Sequence, residues 1–142
     1  MNHSKWIKLL TYLGAAPFFL AIYISVSNHS FLGVDATRWF LTYGLVILSF
    51  MAGSLWGQEV NASFKAKRIA FATNAITLAA WFAFLLADPA IVLIILALGF
   101  VALYVLELIV MGYIKRPDYY LALRLRVTAL VVIAHGVMLL QV

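Results

Sequence analysis

Cysteine is absent from the 142 residues, which excludes disulfides, thiol nucleophiles and thiolate metal sites. Charge is nearly as scarce. Asp, Glu, Lys and Arg make up 11% of the chain, against about a quarter of a soluble domain. Asp35, Asp88 and Asp118 stand isolated between apolar stretches, so no paired acidic set is available to hold Mg²⁺. There is no HExxH, phosphate-binding P-loop, GxSxG or dinucleotide fingerprint. The sequence therefore points to no catalytic residue, no metal and no cofactor; an enzyme is unsupported but not excluded, since intramembrane chemistry can use scattered residues.

What the chain has instead is apolar surface. Its hydrophobic fraction is 66% and its mean hydropathy +1.06. Crossing a bilayer takes roughly 20 mostly apolar residues per helix. Five runs meet that length: Trp6–Ser27, Arg38–Gly57, Arg68–Ala87, Pro89–Tyr113 and Tyr119–Gln141. Backbone groups in lipid must be paired within the segment, so the runs are expected to be helices. The breaks at Asn28–Thr37, Gln58–Lys67, Asp88–Pro89 and Lys115–Asp118 are short, which predicts antiparallel neighbours. The expected fold is all-α: a polytopic membrane protein, an up-and-down bundle of five transmembrane helices in one integral domain over residues 1–142. Lys5 and Lys8, an apolar stretch and Ser25-Val26-Ser27 loosely resemble a signal peptide. The segment reads better as a first helix, kinked near Gly14-Ala15-Ala16-Pro17.

Basic residues set the orientation. If five helices alternate, Lys5, Lys8, Lys65, Lys67, Arg68, Lys115, Arg116, Arg124 and Arg126 share one side, and only Arg38 falls on the other. The positive-inside rule then places the N-terminus in the cytoplasm and the C-terminus outside. Trp6, Trp56, Tyr113, Tyr119 and Tyr120 fit an inner aromatic belt, and Trp39, Tyr43 and Trp81 an outer one. The net charge of +5 is thus mostly a topology signal. It suits contact with anionic lipids and argues against nucleic acid as a partner. No Arg- and Ser-rich presequence is present, which favours a bacterial inner membrane.

Small residues suggest helix contacts. Ser49, Gly53 and Gly57 recur at four-residue spacing in the second run, and such a face admits close backbone approach. Packing inside the monomer is the preferred expectation, with a dimer seam as the alternative. Gly14, Ala15 and Ala16 offer another such zone, while Gly44 and Ala52 add small surfaces elsewhere.

Three segments carry a family likeness. They are Leu13-Gly14-Ala15-Ala16-Pro17-Phe18, the stretch from Tyr43 to Gly57 (Tyr-Gly-Leu-Val-Ile-Leu-Ser-Phe-Met-Ala-Gly-Ser-Leu-Trp-Gly), and Leu123-Arg124-Leu125-Arg126-Val127-Thr128. Together they resemble the transmembrane-protein-69-like family, also called domain of unknown function 3429. The second segment is the specific one, though the family pattern often has Gly-Gly where this chain has Ala52-Gly53. The resemblance implies a small polytopic membrane protein of bacteria and mitochondria, and it carries over no catalytic residue.

Charges within spans are expensive and each is a candidate for function. Glu107 lies six residues before Tyr113, roughly 9 Å inside the interface at about 1.5 Å per residue. Arg124 and Arg126 fall at a similar depth on the next helix. Because residues two apart point to different faces, only one arginine is expected to meet Glu107. The bland reading is a buried pair that fixes helix register; the sharper one is a proton-linked carboxylate or an anion site. A polar cluster of Ser54, Asn74, Glu107, Arg124 and Arg126 is expected on the cytoplasmic side, as interhelical glue or as a ligand site. His135, with Met138 one turn on and His29 in the first outer loop, could in principle bind haem iron or copper; a hydrogen-bonded interfacial histidine is the preferred expectation.

Two functional readings stand ahead of a third, a membrane enzyme acting on lipid or quinone, for which no residue speaks. The favoured one is a small non-enzymatic accessory, assembly or interaction subunit, partnered by membrane lipids and by a larger membrane complex or further copies of itself. The other is a carrier or binding protein for a lipid or small molecule, built around Glu107 and Arg124. A cavity reaching Glu107 would favour the second; a filled core with an exposed adhesive face would favour the first.

Overall fold

A computed structural model describes residues 3–27, 30–59, 66–110 and 118–142. Among them are five long helices: α1 (His3–Ser27), α2 (Ala36–Glu59), α3 (Ala66–Leu86), α4 (Pro89–Val110) and α5 (Asp118–Leu139). All five are long and apolar enough to cross a membrane. The protein is an all-α, multi-pass membrane protein. The sequence expectations at His29, Lys65, Tyr113, Lys115 and Arg116 lie outside the described residues.

Helix starts follow local chemistry. Proline costs nothing at the first position of α4, where its missing N–H would have no partner in any case, and the Asp88 carbonyl accepts the Val92 N–H at 3.1 Å. α2 begins two residues earlier than its apolar run because Asp35 caps it, Oδ1 accepting the Arg38 N–H at 3.1 Å. Before that cap lies a feature that hydropathy did not foretell. Ser30–Phe31 (β1) and Val34–Asp35 (β2) form a small antiparallel hairpin. Its two turn residues, Leu32 and Gly33, both have positive φ (55° and 77°), which the right-handed twist of a tight hairpin demands. The Trp39 indole N–H donates to the Phe31 carbonyl at 3.0 Å and ties the hairpin to α2.

In the bundle α2 packs against α1, α3 and α4, α4 packs also against α3 and α5, and α5 closes the ring against α1. The core is an aromatic knot. Phe18 of α1 sits 5.0 Å from Phe40 and from Tyr43 of α2, and 6.2 Å from Phe100 of α4. Two glycines permit this density. A Cβ on Gly44 would lie 3.1 Å from Leu96 Cδ1, and one on Gly99 would lie 3.2 Å from both Leu48 methyl groups.

That finding corrects the expected packing face. Gly53 and Gly57 are exposed, and a Cβ on either meets nothing within 4 Å among the described residues. The Ser49 hydroxyl turns back to the Leu45 carbonyl of its own helix at 2.8 Å. The spacing was real, but it lies on the outer side of α2, while the glycines that bring helices together are Gly44 and Gly99. Four threonines behave as Ser49 does: Thr11, Thr42, Thr73 and Thr77 each donate to a carbonyl one turn earlier. Such groups satisfy themselves in lipid without linking helices.

Candidate ligand-binding site

Tyr120 and Arg124 lie four residues apart and therefore on one face of α5. Glu107 faces them from the last turn of α4. The Tyr120 hydroxyl donates to Glu107 Oε1 at 2.6 Å, and Arg124 Nε lies 3.5 Å from the same oxygen as an ion pair. Arg124 Nη1 lies 4.0 Å from the sulfur of Met51 on α2. Glu107 is only 3% exposed and Arg124 9%. A carboxylate and a guanidinium are thus held together away from solvent, with a phenol adding the donor that such a pair needs to offset desolvation.

The pair borders a cavity of about 400 Å³ enclosed by α1, α2, α4 and α5. Most of its wall is hydrocarbon and aromatic, reaching Phe18, Ile47 and Val131 at its inner end. The polar side chains Ser54, Glu107, Tyr120 and Arg124 gather toward the end nearer the N-terminus of α1. The cavity opens between α1 and α2, where its lining residues Leu10 and Phe50 are 61% and 71% exposed. In a membrane those side chains face lipid, so the mouth is lateral.

The contacts of α1 with α2 frame this opening. Pro17 lacks the N–H that would bond the Leu13 carbonyl. One residue on, the Gly14 carbonyl accepts the Tyr43 hydroxyl at 2.6 Å, a bond from α2. This clasp and the Phe18–Phe40 contact hold α1 against α2 at mid-bundle. Beyond it, toward the N-terminus of α1, the cavity lies between the two helices. Gly14 lines the cavity, and a Cβ placed on it meets nothing within 4 Å.

Of the residues singled out from sequence, Glu107 and Arg124 are brought together and Ser54 sits at the rim of the cavity. Two are not part of the group. Arg126 is exposed, two positions from Arg124 and turned away from the bundle. Asn74 is also exposed, and its amide donates to the Ala70 carbonyl of its own helix at 2.8 Å. Tyr120, expected in the inner aromatic belt, and Met51, which the sequence does not single out, both belong here. The i, i+4 spacing of Tyr120 and Arg124 was the available signal.

His135 lies elsewhere, buried inside the bundle. It is 1% exposed, with ring centroids of Phe40, Phe18 and Phe100 at 4.8, 5.3 and 5.5 Å. Its Nδ1 lies 2.7 Å from the Val131 carbonyl, which makes that nitrogen the donor. Nε2 has no hydrogen-bond partner among the described residues.

No curated protein and no solved structure matches the chain. A match to a protein family covers residues 3–140, nearly the whole molecule, and every element of the site falls within it. The chain therefore belongs to the family described as "Protein of unknown function (DUF3429)".

Proposed function

We propose that this protein binds an amphipathic molecule drawn from the bilayer, as a small lipid- or small-molecule-binding or carrier protein. The observation that carries the reading is the cavity itself. It is mostly apolar, opens sideways to lipid and ends on a buried Glu107–Arg124–Tyr120 group. Ligand sites have this composition: a largely hydrophobic wall with a few convergent polar groups. About 400 Å³ lies near the small end of the usual range, about 300–1,000 Å³. That admits one chain or one ring system, not a whole two-chain lipid.

The setting we propose is a bacterial inner membrane with the N-terminus cytoplasmic. Lys5, Lys8, Lys67 and Arg68 support it through the positive-inside rule. The mouth of the cavity then faces the cytoplasmic leaflet.

The test is native mass spectrometry of the protein extracted in mild detergent, compared with Gly14→Phe. The added ring fills the open space beside Gly14 and should not disturb packing. Wild type is expected to carry a defined small-molecule adduct that the variant lacks at unchanged thermal stability. Equal adducts on both proteins would overturn the reading.

The accessory-subunit reading keeps one specific support. Val46, Phe50, Gly53 and Gly57 line an exposed strip of α2 suited to another helix. A stoichiometric protein partner in the same extraction, with no adduct, would favour it.

A further inference from the structure

Resting on the cavity reading above, we infer that the ligand's head is uncharged and carries a carbonyl oxygen. The head is recognised by Arg124, on a molecule with a single hydrophobic chain or tail.

The argument starts from what the guanidinium still lacks. Arg124 has five N–H donors. Its Nε meets Glu107 Oε1 at 3.5 Å, and its Nη1 meets the thioether of Met51, a weak acceptor, at 4.0 Å. Those are its only partners among the described residues, although Arg124 is nine-tenths buried and lines the cavity. Donors this far from solvent want an oxygen acceptor. The cavity is where one can come from.

The charge balance decides what kind of oxygen. Glu107 already stands against Arg124, so the buried pair is neutral as a unit. A carboxylate or phosphate head would bring a second negative charge to a site where Arg124 is the cation among the described residues, and burying an unneutralised charge is costly. No other basic side chain among the described residues lines the cavity. Lys8 lies instead outside its wall, 5.0 Å from the Tyr119 ring centroid. A carbonyl accepts from the guanidinium without adding charge. The rest of the molecule is set by shape: a ring or a short ester fits between Phe50, Met51 and Leu123, and a tail can leave through the lateral mouth.

Quinone rings and monoacylglycerol esters both present this chemistry, so the experiment separates them. Binding of four probes with matched tails is measured by calorimetry in nonionic detergent: a decyl-substituted benzoquinone, monolauroylglycerol, dodecanoate and dodecyl phosphate. Wild type is expected to bind at least one neutral carbonyl probe about tenfold or more tighter than either anion. The tighter of the two neutral probes identifies the source. Gly14→Phe should abolish binding of every probe. Since removing one member of a buried pair endangers folding, the head is tested with the double variant Glu107→Met/Arg124→Met, which should bind all four probes with no preference. Tighter binding of an anion by wild type would overturn the head assignment and leave the cavity reading standing. If no probe binds in a way that Gly14→Phe removes, both fail.

Discussion

The Tyr43 hydroxyl on α2 donates to the Gly14 carbonyl on α1 at 2.6 Å, three residues before the proline that interrupts the backbone bonding of α1. The bond lies where the packed part of the α1–α2 contact gives way to the open part. Gly14 itself lines the cavity, so the bond ties α2 to the cavity's wall.

Tyr43→Phe keeps the ring against Phe18 and removes only this bond. The expected loss is about 0.5–1.5 kcal/mol of stability, the net worth of one ordinary hydrogen bond. Thermal unfolding followed by tryptophan fluorescence reads it. A loss well above that range would show that the hydroxyl does more than clasp the two helices.

Glu107 and Arg124 should behave as a unit. Replacing Arg124 with Met strands a buried carboxylate and is expected to cost about 3–5 kcal/mol, whereas replacing both with Met should cost far less. Tyr120→Phe removes a bond to a charged acceptor and should cost about 1.5–3 kcal/mol. A double-mutant cycle on unfolding midpoints measures the coupling. Additive losses for Arg124 and Glu107 would mean that the pair contributes nothing as a pair.

The unequal legibility of this molecule has a physical origin. Hydropathy sums over a whole helix, so the five spans were plain in the sequence, along with the Asp88–Pro89 break. Depth is also linear along a helix, which is why Glu107 and Arg124 were matched across antiparallel neighbours. Facing is another matter. These helices are apolar on every side, and nothing in the periodicity says which stripe turns inward. Gly53 and Gly57 therefore looked like Gly44 and Gly99, and Asn74 looked like a partner for Glu107. The cavity was invisible for the same reason, since it depends on where α1 and α2 part.

The glycines offer a direct check on facing. Gly44→Leu and Gly99→Leu would force a branched side chain into Leu96 and Leu48 across the helix contact. Overpacking of that kind is expected to cost about 1–3 kcal/mol. Gly53→Leu and Gly57→Leu should leave the isolated chain within about 0.5 kcal/mol of wild type. Unfolding midpoints of the four variants, taken with light scattering to record their oligomeric state, test the contrast. Destabilisation of monomeric Gly53→Leu comparable to Gly44→Leu would place the packed face wrongly.

His135 invites a counterintuitive substitution. Its Nδ1–H is used by the Val131 carbonyl, which as a helix carbonyl already accepts a backbone bond, so little is lost when that donor goes. Its Nε2 lone pair, by contrast, is buried among Phe18, Phe40 and Phe100 with no donor among the described residues. Leaving an acceptor unsatisfied costs about 1–3 kcal/mol, and an apolar side chain of similar volume avoids that cost. His135→Leu is therefore expected to match or exceed the wild-type unfolding temperature, despite replacing one of the most buried polar residues in the chain. Losing more than about 2 kcal/mol would show that Nε2 has a partner in the membrane-embedded protein. A donor that close to Gly44, whose Cβ position lies 3.6 Å from Nε2, would have to be small.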